Sequence, residues 1–177
     1  MKGSKRSTNI AFAALFTAII SIISQISVIT PLGVPITLQT FAVSLCGYLL
    51  GVKWGMASVV TYILAGAVGL PVFSGFQGGI QHITSATGGF IMGFLFIALF
   101  CGISPDKFSK YFKILMGIIG LVVCHIIGIL QFKFITGTGV IETLITASLP
   151  FILKDVISVV AAFMISLKIK KVINKNA

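Results

Sequence analysis

The chain has 177 residues, enough for one core and too few for two ordinary domains. Apolar residues make up 57% of it and charged residues only 9%, and the mean hydropathy is +1.14. Soluble proteins average roughly 25% charged residues. A chain this apolar cannot cover a water-facing surface, which excludes soluble enzymes, disordered chains and secreted disulfide scaffolds and leaves an integral membrane protein.

A net charge of +10, from 13 basic and 3 acidic residues, would in a soluble chain suggest a nucleic-acid partner. Here the basic residues sit at the ends of apolar runs, where lysine and arginine anchor helices against anionic headgroups, so the partner is the lipid bilayer and not nucleic acid. Cys46, Cys101 and Cys124 each lie in an apolar run without CxxC spacing and read as buried thiols.

Roughly 20 apolar residues cross a bilayer as a helix. Six runs qualify as candidates: 9–29, 37–52, 55–70, 87–103, 114–134 and 151–169, which together predict an all-α membrane domain with six transmembrane helices. The first follows Lys2, Lys5 and Arg6 but is too long for a signal peptide and lacks a small-residue cleavage site. With six spans, Lys2, Lys5, Arg6, Lys53, Lys107, Lys110, Lys113, Lys168, Lys170, Lys171 and Lys175 fall on one side, eleven of the 13 basic residues. Only Lys133 and Lys154 fall on the other. The positive-inside rule then places both termini in the cytoplasm of a multi-pass protein of the cell membrane.

The external connections differ in kind. Residues 30–36 carry Pro31, Gly33 and Pro35. Residues 71–86 carry Gly75, Gly78 and Gly79 with Gln77, Gln81, His82, Thr84 and Ser85, a composition suited to a structured binding loop or lid. Residues 137–149 carry Glu142.

Ionisable residues inside a span are the informative ones, because an aspartate at its centre costs about 2.5–3.5 kcal/mol on insertion scales. Asp155 lies about one turn inside the sixth run, next to Lys154. It reads either as an interfacial pair favoured by the helix N-terminus or as a carboxylate facing a polar cavity. Gln25, Gln39, Thr40, Thr87, Gln131 and Lys133 all fall in the same outer layer, and Phe41, Phe73, Phe76 and Phe90 could wall a pocket there. Such a set suits a small amphipathic ligand with one acid group and a polar ring.

Other chemistry is poorly supplied. His82 and His125 stand 43 residues apart without acidic partners at ligand spacing, so no metal or other cofactor is expected. His125, beside Cys124, reads as a packed or hydrogen-bonded membrane histidine. The sequence has no G-x-x-x-x-G-K-[ST] and no nucleophile constellation, so the chain is expected not to be an enzyme, and active transport would need a partner. Ala14 and Ala18, with Ala11, lie on one helix face as a small-xxx-small pattern suited to close helix contact.

Several stretches taken in order resemble the BioY family, the biotin-binding S components of energy-coupling factor (ECF) transporters. They are Pro31-Leu-Gly-Val-Pro-Ile-Thr-Leu-Gln39-Thr40, Leu50-Gly-Val-Lys-Trp-Gly55, Gly69-Leu-Pro-Val-Phe73-Ser-Gly75 with Gly78-Gly79, Thr87-Gly-Gly-Phe90 with Gly93-Phe94, and Pro150-Phe151 followed by Asp155. The resemblance runs from about residue 9 to residue 169. It implies a six-helix S-component fold that captures biotin from outside, with a membrane-embedded coupling subunit and two cytoplasmic ATPases driving release inward. It places the family's acidic residue of the last span at Asp155. Members often carry glycine before this aspartate and lysine about one turn after it; here Lys154 precedes it and Ser158 follows.

On this reading Asp155 would accept a ureido N–H of biotin, and Gln39 or an amide of the 73–83 loop, such as Gln77, would donate to the ureido carbonyl. Lys154 or Lys133 would pair with the valerate carboxylate. Gly75, Gly78 and Gly79 would let the loop close, Phe73 and Phe90 would cover the apolar parts, and Thr87 would add polarity at the rim. Ala14 and Ala18 would contact the coupling subunit. The alternatives are an S component for a different vitamin and a membrane scaffold without a ligand.

Overall fold

The structure, a computed structural model, describes residues 2–29, 35–103 and 108–175. Pro31 and Gly33 of the first external connection, and Asp106 and Lys107, lie outside the described residues.

The first helix, α1 (Lys2–Ile23), stops six residues short of the expected end at Ile29. Ser24 and Gln25 turn the chain out of the helix, because their side chains bond the Ser21 carbonyl and also reach across to the Val72 carbonyl. Beyond them β-branched residues favour extended backbone. β1 (Ser27–Ile29) pairs antiparallel with β2 (Pro35–Thr37), Ser27 opposite Thr37. The expected all-helical membrane domain therefore carries a small strand pair at one end of the helices, called the hairpin end below. α1 buries Ala13, Phe16 and Ile20, with Ser24 buried just beyond its end, and leaves Ala11, Ala14 and Ala18 exposed.

α2 (Gln39–Ala67) is a continuous run in length only. At Gly51 the backbone takes φ 72° and ψ −179°, and the chain reverses into two antiparallel arms, 39–50 and 52–67. The reversal is visible in distances impossible along a straight helix. Gly47 and Gly55 meet so closely that a Cβ on Gly55 would lie 3.1 Å from the Gly47 Cα. Gln39 Nε2 donates to Tyr62 Oη at 2.7 Å, although 23 residues separate them. These arms correspond to the second and third apolar runs, with ends shifted by two or three residues.

The single-turn α3 (Ile80–Ile83) precedes α4 (Gly88–Gly102) and α5 (Lys110–Thr136). α4 and α5 pack backbone to backbone: a Cβ on Gly89 would lie 2.6 Å from the Ile127 carbonyl oxygen, and one on Gly93 2.8 Å from the Cys124 Cα. That glycine pair, four residues apart, permits the close approach that drives helix association in lipid. Ser109 Oγ caps the start of α5 by accepting from Phe112 N, and Gly137, with φ 71°, closes its end. α6 (Val140–Ala147) is an eight-residue helix within the third external connection, where the sequence reading placed only a loop. α7 (Leu149–Lys175) completes the chain.

The core gathers Ile20, Val43, Tyr48, Tyr62, Ile97, Val159 and Phe163 from α1, both arms of α2, α4 and α7. Large apolar side chains such as Ile22, Leu64, Val122, Leu130, Phe134 and Leu153 face outward, the distribution that hydrocarbon requires. Among the described residues, four helices are long and apolar enough to cross a membrane: Lys5–Ile23, Gln39–Ala67, Lys110–Thr136 and Leu149–Ile173; Gly88–Gly102 is a shorter apolar helix.

A side chain at Gly51 would be strained, because φ 72° with extended ψ is a region populated essentially by glycine. Gly51→Val is therefore expected to lower stability by about 1–3 kcal/mol. Gly139→Ala, at φ −64° with open space around it, should leave stability unchanged. Thermal unfolding of the detergent-solubilised variants compares the two; equal transition temperatures would mean that the turn does not depend on Gly51.

Candidate ligand-binding site

Five segments converge at the hairpin end around a cavity of about 180 Å³: β2 and the start of α2, the 73–87 loop, α4, α5, and the start of α7. Its walls are mostly apolar, with Phe73, Phe90, Ile91, Phe94, Leu121 and Phe151. Its polar residues fall in two sets, Thr37, Gln39, Thr40, Cys124, His125, Lys154 and Asp155 on the helices and β2, and Ser74, Gln77, His82 and Thr87 on the loop. An apolar shell with a handful of placed polar groups is the usual form of a small-molecule site.

Asp155 is its centre. It is 6% exposed on a helix whose other inward neighbours are apolar or hydroxyl residues. Lys154 Nζ lies 2.5 Å from Oδ1 and donates to the Thr37 carbonyl at 2.7 Å, so the long lysine stem folds back and ties α7 to β2. His125 Nε2 lies 3.4 Å from Oδ2, and its Nδ1 is 2.8 Å from Ser148 Oγ. The Thr40 side chain also bonds the carboxylate. A carboxylate has about four acceptor sites, so a ligand N–H can share Oδ1 with Lys154.

The expected site residues divide clearly. Asp155, Lys154, Gln39, Phe73, Gln77, Thr87 and Phe90 line the cavity. Gln39, however, has its amide committed at both ends, to Tyr62 Oη at 2.7 Å and from Thr37 Oγ1 at 2.9 Å, so it holds the floor of the first arm in place. Gly75, Gly78 and Gly79 stand outside the cavity wall and shape the loop. The loop is anchored at both flanks. Phe76 N donates to Gln25 Oε1 at 2.7 Å, and Gln131 Nε2 donates to the carbonyls of Ile83 and Ser85 at 2.7 and 2.8 Å. Between them, Phe73 and Gln77 pair across a tight turn, and the Phe73 ring lies where a Cβ on Gly66 would sit.

Lys133 departs from its expected place. It is exposed in the last turn of α5, away from the cavity lining, where a cation favours the helix C-terminus. Ala14 and Ala18 are exposed on α1 and take no part in the cavity.

His125 is the residue that sequence reasoning left among packed histidines. Its signal was its place on the buried stripe of α5, Gly117, Leu121, Cys124, His125 and Gly128, which recurs every three or four residues. Ser148, at the end of α6, carried no sequence signal.

Residues 1–175 match the BioY family as a whole. The chain is 38% identical over 161 residues to the biotin transporter BioY of Thermotoga maritima, covering 90% of this chain and 94% of that one. It is 39% identical over 162 residues to a probable biotin transporter BioY of Pyrococcus horikoshii, covering 91% and 95%. Its fold is similar to a crystal structure of the S-component for biotin from an ECF-type ABC transporter, with a TM-score of 0.87 at 26% identity over 97% of this chain and 95% of the other.

Proposed function

The chain belongs to the BioY family, and from that membership and the geometry of the cavity we infer that it captures biotin as the S component of an ECF-type transporter. The observation that carries the reading is the buried Asp155 carboxylate in the cavity lining, with the Lys154 ammonium 2.5 Å from Oδ1. A donor and an acceptor side by side match the edge of a cyclic urea, where N–H and C=O also lie side by side. Asp155 Oδ1 accepts the ureido N–H, and an N–H of Lys154 that is free of the Thr37 carbonyl donates to the ureido oxygen. Phe90, Phe94 and Phe151 then flank the fused ring and the aliphatic chain. Because Lys154 already balances Asp155, the valerate carboxylate points toward Ser74, Gln77 and His82 at the loop.

The arrangement in the membrane follows from the two arms of α2. Counting each arm as a crossing gives six, and the shorter arm, 39–50, spans about 18 Å at 1.5 Å per residue. It begins beneath the cavity and the strand pair, which occupy the outer part of the bilayer. Both termini face the cytoplasm, in keeping with eleven of 13 basic residues on that side. The membrane is the cytoplasmic one, and uptake is energised by a coupling subunit and two ATPases, since the sequence carries no phosphate-binding loop of its own. The exposed Ala11, Ala14 and Ala18 face of α1 receives the coupling subunit, because small side chains allow close helix contact.

Three experiments test these statements. Cys46, Cys101 and Cys124 are all buried, so a cysteine introduced at Ser109 reports accessibility cleanly. An impermeant thiol reagent should leave it unmodified in intact cells and modify it in inverted vesicles, and labelling from outside would reverse the topology.

Replacing both Ala14 and Ala18 by tryptophan should preserve biotin binding by the purified chain and abolish energised uptake. Uptake at the normal rate would remove this face from the contact with the coupling subunit.

Asp155→Asn exchanges a charge-assisted hydrogen bond for a neutral one and should weaken biotin binding by about 1.5–3 kcal/mol, or about 10- to 150-fold. Isothermal titration of the purified chain measures it, with ligand-free unfolding as the control for folding. Lys154→Gln should weaken biotin and its methyl ester by similar factors if the lysine serves the ureido edge. Unchanged affinity in Asp155→Asn would exclude the carboxylate from the ligand.

A further inference from the structure

A carboxylate held only by an ammonium is free to turn, since rotation about the Cβ–Cγ bond of aspartate has broad minima. Asp155 is held from two further sides, by the Thr40 side chain at the start of α2 and by His125. His125, on α5, places Nε2 3.4 Å from Oδ2, while its Nδ1 meets Ser148 Oγ at 2.8 Å. The imidazole stands edge-on to Phe90, with ring centres 5.7 Å apart. His125, Ser148 and Asp155 are all buried. The neutral tautomer with its proton on Nε2 satisfies both partners: the Ser148 hydroxyl donates to Nδ1, and Nε2–H donates toward Oδ2. The Asp155 carboxylate, which can only accept, thereby selects the tautomer, and the Ser148 hydroxyl, free to donate, completes it at Nδ1.

We propose that His125 is a positioning residue for ligand recognition, which, fixed by Ser148, holds the plane of the Asp155 carboxylate so that the open side of Oδ1 faces the cavity. The proposal rests on the reading of Asp155 as the ureido acceptor and adds to it a residue on a different helix. Its consequence is that affinity depends on the junction of α5, α6 and α7, three elements that no ligand contact on α7 alone would couple. Lys154 faces the same carboxylate from its other oxygen, and Cys124 lies beside His125 on α5.

The substitutions that separate positioning from packing are the two amides. His125→Gln can bring an amide N–H to the place of Nε2, whereas His125→Asn can reach only the place of Nδ1. Biotin titration of the purified chain should show His125→Asn and His125→Leu about 10-fold weaker than wild type and His125→Gln within about 3-fold, coupling of the size found between contacting residues. Ser148→Ala should fall between. In an Asp155→Asn background, His125→Leu should cost less than about 2-fold further, because the group it positions is gone. Ligand-free unfolding temperatures screen each variant for folding; if His125→Leu does not fold, the Gln and Asn pair decides alone. Equal losses in His125→Gln and His125→Asn, or an undiminished loss in the Asp155→Asn background, would overturn the proposal and leave His125 as packing. Failure of wild type to bind biotin, or full affinity in Asp155→Asn, would instead overturn the assignment of the ligand site itself.

Discussion

One buried negative charge governs the hairpin end of this protein. A carboxylate within a membrane helix costs several kcal/mol unless it is paired and hydrogen-bonded. Asp155 meets that demand with groups from three directions. Lys154 comes from its own helix, His125 from α5 and Thr40 from the first arm of α2, while the Thr37 carbonyl of β2 steadies the lysine. Each of those groups is in turn fixed by another: His125 by Ser148, and Thr37 by its hydroxyl bond to Gln39, which reaches on to Tyr62. In a low-dielectric interior such a network has few alternative arrangements, because any partner that drifts away leaves a charge uncovered. The strand pair, the first arm of α2 and the start of α7 are thereby positioned by the same requirement that creates the cavity.

The loop over the cavity obeys a different logic. It carries no charge pair, and it is held by backbone carbonyls and amides at its flanks, bonded to Ser24, Gln25 and Gln131 on the rims of α1 and α5. Its hydrophobic anchor is a single ring, Phe73, seated over Gly66 and edge-on to Tyr62 at 5.5 Å between ring centres. The tip, Gly75 to Gln77, is exposed, and within it the Phe76 N–H is tied to Gln25 Oε1. Tyr62 belongs to both assemblies, bonding Gln39 and packing on Phe73, so the floor and the cover of the cavity share one side chain.

What the sequence made legible were the features that depend on burial in lipid. Apolar runs, the placement of lysines at their ends and the rarity of acids follow directly from the cost of charge in hydrocarbon, and the cavity residues Asp155, Gln39, Phe73 and Phe90 stood out against that background. The illegible parts were set by contacts between distant residues. Run 9–29 reads as one continuous apolar stretch, and only the bonds from Ser24 and Gln25 to Val72, 48 and 47 residues away, explain why the helix ends at Ile23. The length of Val140–Ala147, eight residues with Glu142 inside, gave no periodicity long enough to separate helix from loop. Lys133 was read as a site cation because it shares an outer layer with the polar groups, but its side of α5 is set by helical rotation, which layer counting ignores. His125, eight residues earlier on the same helix, faces the opposite fate for the same reason.

The position of Lys154 bears on how such a site tolerates change. The family pattern to which the sequence is similar carries its lysine about one turn after the aspartate, where this chain has the buried Ser158. An ammonium on a four-carbon stem is a compact charge that can be delivered to one point from more than one backbone position. Here the stem bends back from the residue adjacent to Asp155, and the Thr37 carbonyl, not the helix, fixes where the charge rests. In this chain the location of the ammonium relative to Oδ1 is set by that carbonyl. Placing the lysine on the β2 side also links its geometry to the strand pair. The same ammonium that neutralises the carboxylate thus holds β2 to the helix that carries Asp155.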